Sequence, residues 1–338
     1  MPTLNRKEPL LIVNDLSKHF KIKRGLFGQN AKDLKAVDGI SFTVYQGETL
    51  GIVGESGCGK STTGNVITRL LEPTEGEIIF DGQNITSLKE SSLRKIRRDM
   101  QMIFQDPFSS LNPRMKVFDI IAEPLRTHYS YSAKQLKLEV LDLMEKVGLS
   151  EAHAYRYPHE FSGGQRQRIG IARAIALKPK IIVCDEPVSA LDVSIQAQIL
   201  NLLKKLQREL NLTFVFIAHG LPAVKHFSDR VAVMYLGKII EMSSKKDLFK
   251  LPMHPYTMGL LNAVPIPDPS QRSQITKSEI RGDIPSPVNL PTGCRFHPRC
   301  PYADEQCQQI EPAFEEKKDG HFVACHYPLS QQFLTKEG

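Results

Sequence analysis

Nowhere in these 338 residues is there an apolar run of the roughly 18–20 needed to cross a bilayer as a helix. The first residues, Met1 to Lys7, are polar and lack the apolar core of a secretory signal. The expectation is a chain that stays in the cytosol and meets a membrane only through a partner or at its surface. Long basic runs are also missing, the densest cluster being Arg94–Lys95 with Arg97–Arg98. The net charge of +7 is therefore compatible with nucleic acid, anionic lipid or bound nucleotide, and chooses none of them. Cysteine is scarce: six residues, of which Cys294, Cys300, Cys307 and Cys325 all lie beyond residue 290. A cytosolic compartment disfavours disulfides, so this terminal cluster points first to metal.

What is present suits one large domain with an appendage, or two domains, since 41% apolar residues can bury a substantial core. From Leu10 to Ala263 short β-rich runs alternate with helical patterns. The strand candidates are Leu10–Val13, Ile40–Val44, Thr49–Val53, Ile78–Phe80, Met102–Phe104, Ile181–Cys184, Thr213–Ala218 and Arg230–Tyr235, and amphipathic helices follow Lys60, Lys134, Gly164 and Ser194. Such alternation predicts an α/β domain with parallel β structure. The early strands have few helices between them, and Asp81–Gly82 is a hairpin-type turn, which adds an antiparallel portion. After Ala263 the texture changes. Twelve of the 22 prolines lie between Pro252 and Pro328, which predicts a segment without long helices or central strands. The domain boundary is expected near 264.

Gly54-Glu-Ser56-Gly57-Cys58-Gly59-Lys60-Ser61-Thr62 is a complete G-x-x-x-x-G-K-[ST] loop between an apolar strand and a helix, the context that confirms the pattern. Its glycines let backbone N–H groups wrap phosphates, and the helix start adds partial positive charge. Lys60 would reach the β- and γ-phosphates and Ser61 would ligate Mg²⁺. Downstream, Ile181-Ile-Val-Cys-Asp185-Glu186 ends an apolar strand in two carboxylates, at the edge where open α/β sheets bind ligands. Asp185 can hold Mg²⁺ through water and Glu186 can polarise the attacking water, the positioning that phosphoryl transfer requires. In Phe161-Ser162-Gly163-Gly164-Gln165 a serine caps a helix behind two glycines that allow close approach to an anion. A second phosphate-binding element in one chain makes sense if two chains share each nucleotide.

In combination these elements resemble the ABC ATPases, with Phe161 to Gln165 as their signature motif. The resemblance implies an α/β P-loop NTPase fold: a RecA-like core, an antiparallel β subdomain, a helical subdomain at about 106–178 and a Cys/Pro-rich C-terminal extension. The ATPase domain would span 1–263 and the extension 264–338. It further implies that Gln105 is the Q-loop glutamine, at the γ-phosphate, Mg²⁺ and the membrane partner. Ser189-Ala-Leu-Asp192 would be the D-loop at a dimer interface, His219 the switch histidine, and Phe20 the aromatic that stacks on adenine. One departure stands out: the family usually has an acidic residue after that histidine, whereas here it is Gly220, which implies lowered rather than abolished turnover.

Lys35-Ala-Val-Asp-Gly39, Gly47 to Lys60, Gln105-Asp-Pro-Phe-Ser-Ser-Leu-Asn-Pro113 and the tail from Gly282 to Tyr302 are similar to the ATPases of oligopeptide and dipeptide importers, and more to the subunit usually called F. That resemblance implies ATP and Mg²⁺ as ligands and a second, homologous ATPase subunit as partner. It also implies two transmembrane permease subunits and, indirectly, an extracytoplasmic peptide-binding protein, with the chain peripheral on the cytoplasmic face of the membrane. Related machines import nickel or short glycans. Soluble members that act on nucleic acid or ribosomes carry two cassettes or long insertions, which one uninterrupted cassette does not match. The cysteine spacing C-x5-C-x6-C-x17-C names no metal. Read by itself it favours Zn²⁺, with His297, His321 and His326 as spare ligands. The resemblance shifts the expectation to a 4Fe–4S cluster on Cys294, Cys300, Cys307 and Cys325, with four free thiols in a packed tail as the alternative.

Overall fold

The computed structural model describes residues 8–24, 30–263 and 282–329, so the expected boundary at 264 and the run Pro265–Pro269 lie outside the described residues. The elements are β1 (Pro9–Arg24), β2 (Asn30–Tyr45), β3 (Thr49–Val53), α1 (Lys60–Ile67), β4 (Glu75–Phe80), β5 (Gln83–Asn84), α2 (Glu90–Asp99) and β6 (Met100–Ile103). They continue with α3 (Val117–His128), α4 (Ala133–Lys146), α5 (Gly163–Ile175), β7 (Ile181–Asp185), α6 (Val193–Leu210), β8 (Thr213–Ile217), α7 (Leu221–Phe227), β9 (Arg230–Tyr235) and β10 (Lys238–Ser244). The described chain closes with α8 (Lys245–Lys250), α9 (Pro255–Asn262), α10 (Glu305–Gln309), β11 (Glu315–Lys318) and β12 (His321–Val323).

β3, β7 and β8 are five-residue strands with every residue buried, as strands covered on both faces must be. They lie in a sheet ordered β11-β12-β10-β9-β3-β8-β7-β6, whose strands from β9 to β6 are parallel. The pleat sorts their side chains. Ile181, Val183, Val215 and Ile217 face α1 and the antiparallel sheet, while Ile182, Cys184, Phe214 and Phe216 join the apolar cluster of α3, α4, α5 and α6. This is the expected α/β architecture. Because β6, β7, β8 and β3 run the same way, their carboxyl ends share one edge, which is where ligands of such sheets bind.

A second, four-stranded sheet, β2-β1-β4-β5, is antiparallel. Its last hairpin turns at Asp81 (φ 50°) and Gly82 (φ 75°), the left-handed pair of a type I′ turn. Leu11, Val13, Phe42 and Ile78 pack from this sheet toward Val66 and Ile67 of α1. Helices α2 and α3 were not anticipated by the helix starts named above.

The C-terminal segment does supply an interior strand: β12 pairs antiparallel with β10 on one side and with β11 on the other. The expectation from proline content fails here because residues 313–327 are proline-free, and Pro312 and Pro328 only bracket the hairpin. The tail is thereby hydrogen-bonded into the same sheet that carries the glycine-rich loop.

Candidate nucleotide site

The loop after β3 needs glycine at both ends. Gly54 sits at φ 156° with Met234 O 2.2 Å from where a Cβ would stand, and Gly59 sits at φ 106° with Ala36 O at 2.0 Å. Any side chain there would push the loop off β2 and β9, so the turn fixes glycine by close approach as well as by dihedral angle. Between them Cys58 is buried, and burial raises its thiol pKa, so it packs as a small neutral group. Lys60, the first residue of α1, is only 4% exposed. Its Nζ donates to Gly54 O (2.9 Å) and Glu55 O (3.0 Å), which holds the ammonium across the loop it closes.

The ends of three neighbouring strands, β6, β7 and β8, meet this loop. Ser61 Oγ donates to Asp185 Oδ1 at 2.8 Å. Burial raises the Asp185 carboxyl pKa, with Glu186 adding to it, against the hydrogen bond from Ser61 and the charge of Lys60. Glu186, the first residue past β7, is a non-glycine residue in the left-handed region, at φ 46°. Such a conformation costs energy and persists only where surroundings hold it. Here the backbone N–H of Glu186 donates to Ile217 O (2.9 Å), Ser189 N–H and Oγ donate to Glu186 O, and Gln105 Nε2 donates to Glu186 Oε2 at 2.9 Å. Gln105 stands two residues beyond β6, and exposed His219 two beyond β8.

Gly59, Lys60, Ser61, Gln105, Glu186 and His219 line one cleft of about 400 Å³, together with Phe20, Ser56, Gly57, Thr62, Leu34, Ala36 and Pro287. The structure thus brings Phe20, the loop, Gln105, Glu186 and His219 together. It does not bring Ser162, Gly163, Gly164, Gln165 or Asp192 into that lining, and Gly54, Cys58 and Asp185 also lie outside it, Asp185 reaching the cleft only through its bond to Ser61. Ser162 instead caps α5 in a capping box with Gln165. A Cβ on Gly164 would meet Ile195 Cγ2 at 2.5 Å, so this glycine makes room for α6 to pack beside α5. Leu34, Ala36 and Pro287 were not anticipated. Pro287 lies 227 positions after Lys60 (287 − 60), in a segment whose sequence carries no nucleotide motif.

The tail cysteines require a correction. Cys294, Cys300, Cys307 and Cys325 are free and line a cavity of about 10 Å³ with Phe296, Pro255 and Tyr302. Among the described residues no group of three or more His, Cys, Asp or Glu is placed to hold a metal ion. Neither the 4Fe–4S cluster nor the Zn²⁺ expectation stands. Burial raises the pKa of all four thiols, Cys300 to about 11 and Cys325 to about 12, so they sit here as neutral thiols. The spare histidines are otherwise engaged: His297 Nδ1 with Cys294 O, His326 Nε2 with Ile310 O, and His321 Nε2 with Glu241 at 2.7 Å. Cys294 and Cys300 pack against the apolar core instead.

A family model described as ABC transporter matches residues 37–189, and one described as oligopeptide/dipeptide transporter, C-terminal region, matches residues 240–307. The oligopeptide transport ATP-binding protein AppF of Bacillus subtilis is 54% identical over 327 residues, covering 96% of this chain and 99% of its own. The oligopeptide transport ATP-binding protein OppF of Escherichia coli is 52% identical, covering 94% and 96%. Among solved structures, the dimeric post-hydrolysis state of the ATP-binding cassette MJ0796 bound to ADP and Pi is similar with a TM-score of 0.63. It is 31% identical and covers 70% of this chain and 99% of that one. The relatives are named for ATP binding and transport, which gives the cysteine cluster no support as a metal site.

Proposed function

The chain belongs to the ATP-binding subunits of ABC transporters, in the oligopeptide/dipeptide group, and from that premise we propose that it is the motor of an importer of di- and oligopeptides. As a member of this family it is an ATPase. The observation that carries the residue roles is the convergence of Lys60, Ser61, Gln105, Glu186 and His219 on one cleft, with Asp185 hydrogen-bonded to Ser61.

ATP binds with its adenine on Phe20 and its phosphates in the N–H groups of the 54–62 loop, where Lys60 Nζ exchanges its carbonyl partners for β- and γ-phosphate oxygens. Ser61 Oγ, the Asp185 carboxylate through water and the Gln105 amide oxygen are hard oxygen donors that fit Mg²⁺, which supplies neutralisation of phosphate charge when bound. Glu186 accepts a proton-bearing edge of the attacking water and orients it toward the γ-phosphate. Its strained backbone and its bond to Gln105 keep the carboxylate at the cleft. His219 stabilises the charge that builds on the γ-phosphate. Gly220 is extended, and a Cβ there would meet only Pro222 Cδ at 3.6 Å, so glycine is not forced sterically. The missing acidic group lowers turnover.

Ser162, Gly163, Gly164, Gln165 and Asp192 act on the nucleotide held by a second, homologous ATPase subunit, in keeping with their absence from this chain's own cleft. Closure of that pair moves two permease subunits through the surface around Gln105 and residues 106–112, with an extracytoplasmic protein supplying peptide. The chain sits peripherally on the cytoplasmic face, and no described helix is long and apolar enough to cross a membrane. Glu186→Gln, assayed with partner subunits, lowers kcat by about 10²- to 10⁴-fold while ATP stays bound and the closed pair accumulates. Gly220→Asp raises kcat in the same assay. Wild-type hydrolysis by Glu186→Gln would overturn the role of Glu186, and unimpaired uptake of labelled peptide in cells without this chain would overturn the transport reading.

A further inference from the structure

Glu55, the second residue of the phosphate loop, is gripped from outside the ATPase motifs. Its backbone N–H donates to Tyr256 Oη of α9 at 2.9 Å. Its carboxylate receives both ends of the Arg299 guanidinium, Nη1 to Oε2 at 2.7 Å and Nη2 to Oε1 at 3.0 Å. Arg299 belongs to the C-terminal segment, is 6% exposed, and leans on Tyr235, whose hydroxyl it reaches at 3.5 Å. Tyr235, Tyr256 and Phe296 pack with ring centroids 4.7–5.4 Å apart and wall the pair in. A two-pronged pair of this kind fixes direction as well as distance. Glu55 O is in turn one of the two carbonyls that hold Lys60 Nζ.

We propose that Arg299 is a positioning residue for ATP binding, by which the C-terminal segment sets the shape of the phosphate loop. The inference rests on the nucleotide-motor reading. The chain of contact runs from Arg299 through the Glu55 carboxylate to the Glu55 backbone, and from there to Lys60. Without Arg299, Glu55 keeps a carboxylate that is partly exposed and rotates freely, and the first half of the loop loses the tie opposite its phosphate-facing side. Ground-state binding of phosphate depends on that half, whereas the groups that act on the attacking water hang from β6, β7 and β8. Loss of the tie therefore raises KM and leaves kcat close to its starting value.

The test is a double-mutant cycle with Arg299→Met, Glu55→Ala and the pair, reading the ATP dissociation constant and melting temperature on the full chain and KM and kcat on the chain assembled with its partner subunits. Each single variant weakens ATP binding about tenfold with kcat within about twofold, and the double variant is no worse than the singles, since one contact is lost in all three. Arg299→Lys, which keeps the charge but not the fork, recovers part of the affinity. Glu55→Ala strands a buried guanidinium and risks unfolding, so Arg299→Met carries the test by itself if that variant fails. An unchanged KM beside a lowered melting temperature would mean that the pair only docks the tail, and would overturn the proposal. Additive losses would overturn it as well. A wild-type chain that binds no ATP would sink the motor reading and this inference with it, whereas a working wild type with an unmoved KM in Arg299→Met sinks this inference alone.

Discussion

The phosphate loop and the C-terminal segment both bury cations, and they treat them in opposite ways. Lys60 is 4% exposed, and among the described residues no carboxylate lies within salt-bridge distance of its ammonium, which rests on two backbone carbonyls. In the tail, Arg295 is paired with Asp38 and Arg299 with Glu55, while His321 shares a hydrogen bond with the buried Glu241. A buried cation without an anion is costly, and one with an anion is close to neutral in cost but expensive to break. The first arrangement keeps a positive charge available for an arriving phosphate. The second spends its charge on joining the tail to the core. Burial of a cation therefore says little about function until its counter-charge has been found.

The comparison is most exposed to Lys60→Met. This change weakens ATP binding by about a hundredfold or more, the loss expected when a buried phosphate loses its charged partner, while leaving the melting temperature unchanged or higher. A marked fall in melting temperature would show Lys60 to be structural and erase the contrast. His321→Leu tests the other side. It leaves the fully buried Glu241 with only the Met253 and His254 N–H groups, and should lower stability by about 2 kcal/mol in denaturant unfolding with KM for ATP unchanged. A shifted KM there would mean that the tail as a whole, rather than Arg299, tunes the site.

A further effect is one of pH. Burial lowers the pKa of His254 to about 4, with Glu241 opposing. From about pH 6.5 down to that value the unfolded chain takes up a proton that the folded chain refuses. Stability is therefore lost as pH falls through the window, by at most on the order of 3 kcal/mol, and regained on return to neutrality. Asp38 behaves separately. Burial alone would raise its carboxyl, but Arg295 and His19, with Lys35, hold it at about 2, so its contribution survives to about pH 4 and fades only below that. Unfolding curves at pH 7 and pH 5 check the first window: His254→Gln should flatten it, and a slope that persists in that variant would assign the window to another group.

The nucleotide loop was legible in the sequence because its chemistry is local. Gly54, Gly59, Lys60 and Ser61 sit within eight positions, and the dihedral angles that aim their N–H groups are set by glycine itself. Asp185 and Glu186 were legible for a related reason, since an apolar strand ending in carboxylates delivers them to a known edge of a parallel sheet. The tail was not. Its four cysteines look like a ligand set in one dimension, yet whether thiols gather as ligands or as apolar packing depends on what buries them, and here the core cluster does. The strand His321–Val323 is too short to announce itself, and it exists because β10 offers an edge.

What the sequence determined by itself is the α/β class, the order of the motifs and the strand ends that carry Gln105, Asp185, Glu186 and His219, because each follows from the pattern of a short segment. What only the tertiary structure decided is the company those residues keep. The parallel register gathers Gln105, Glu186 and His219 on one cleft with Asp185 hydrogen-bonded to Ser61, while the segment beyond residue 282 places Pro287 in its wall and Arg299 on Glu55. It also turns the cysteines into packing. The tail's contacts with the phosphate loop join positions more than 200 apart, which chain geometry leaves open and only the packed core selects.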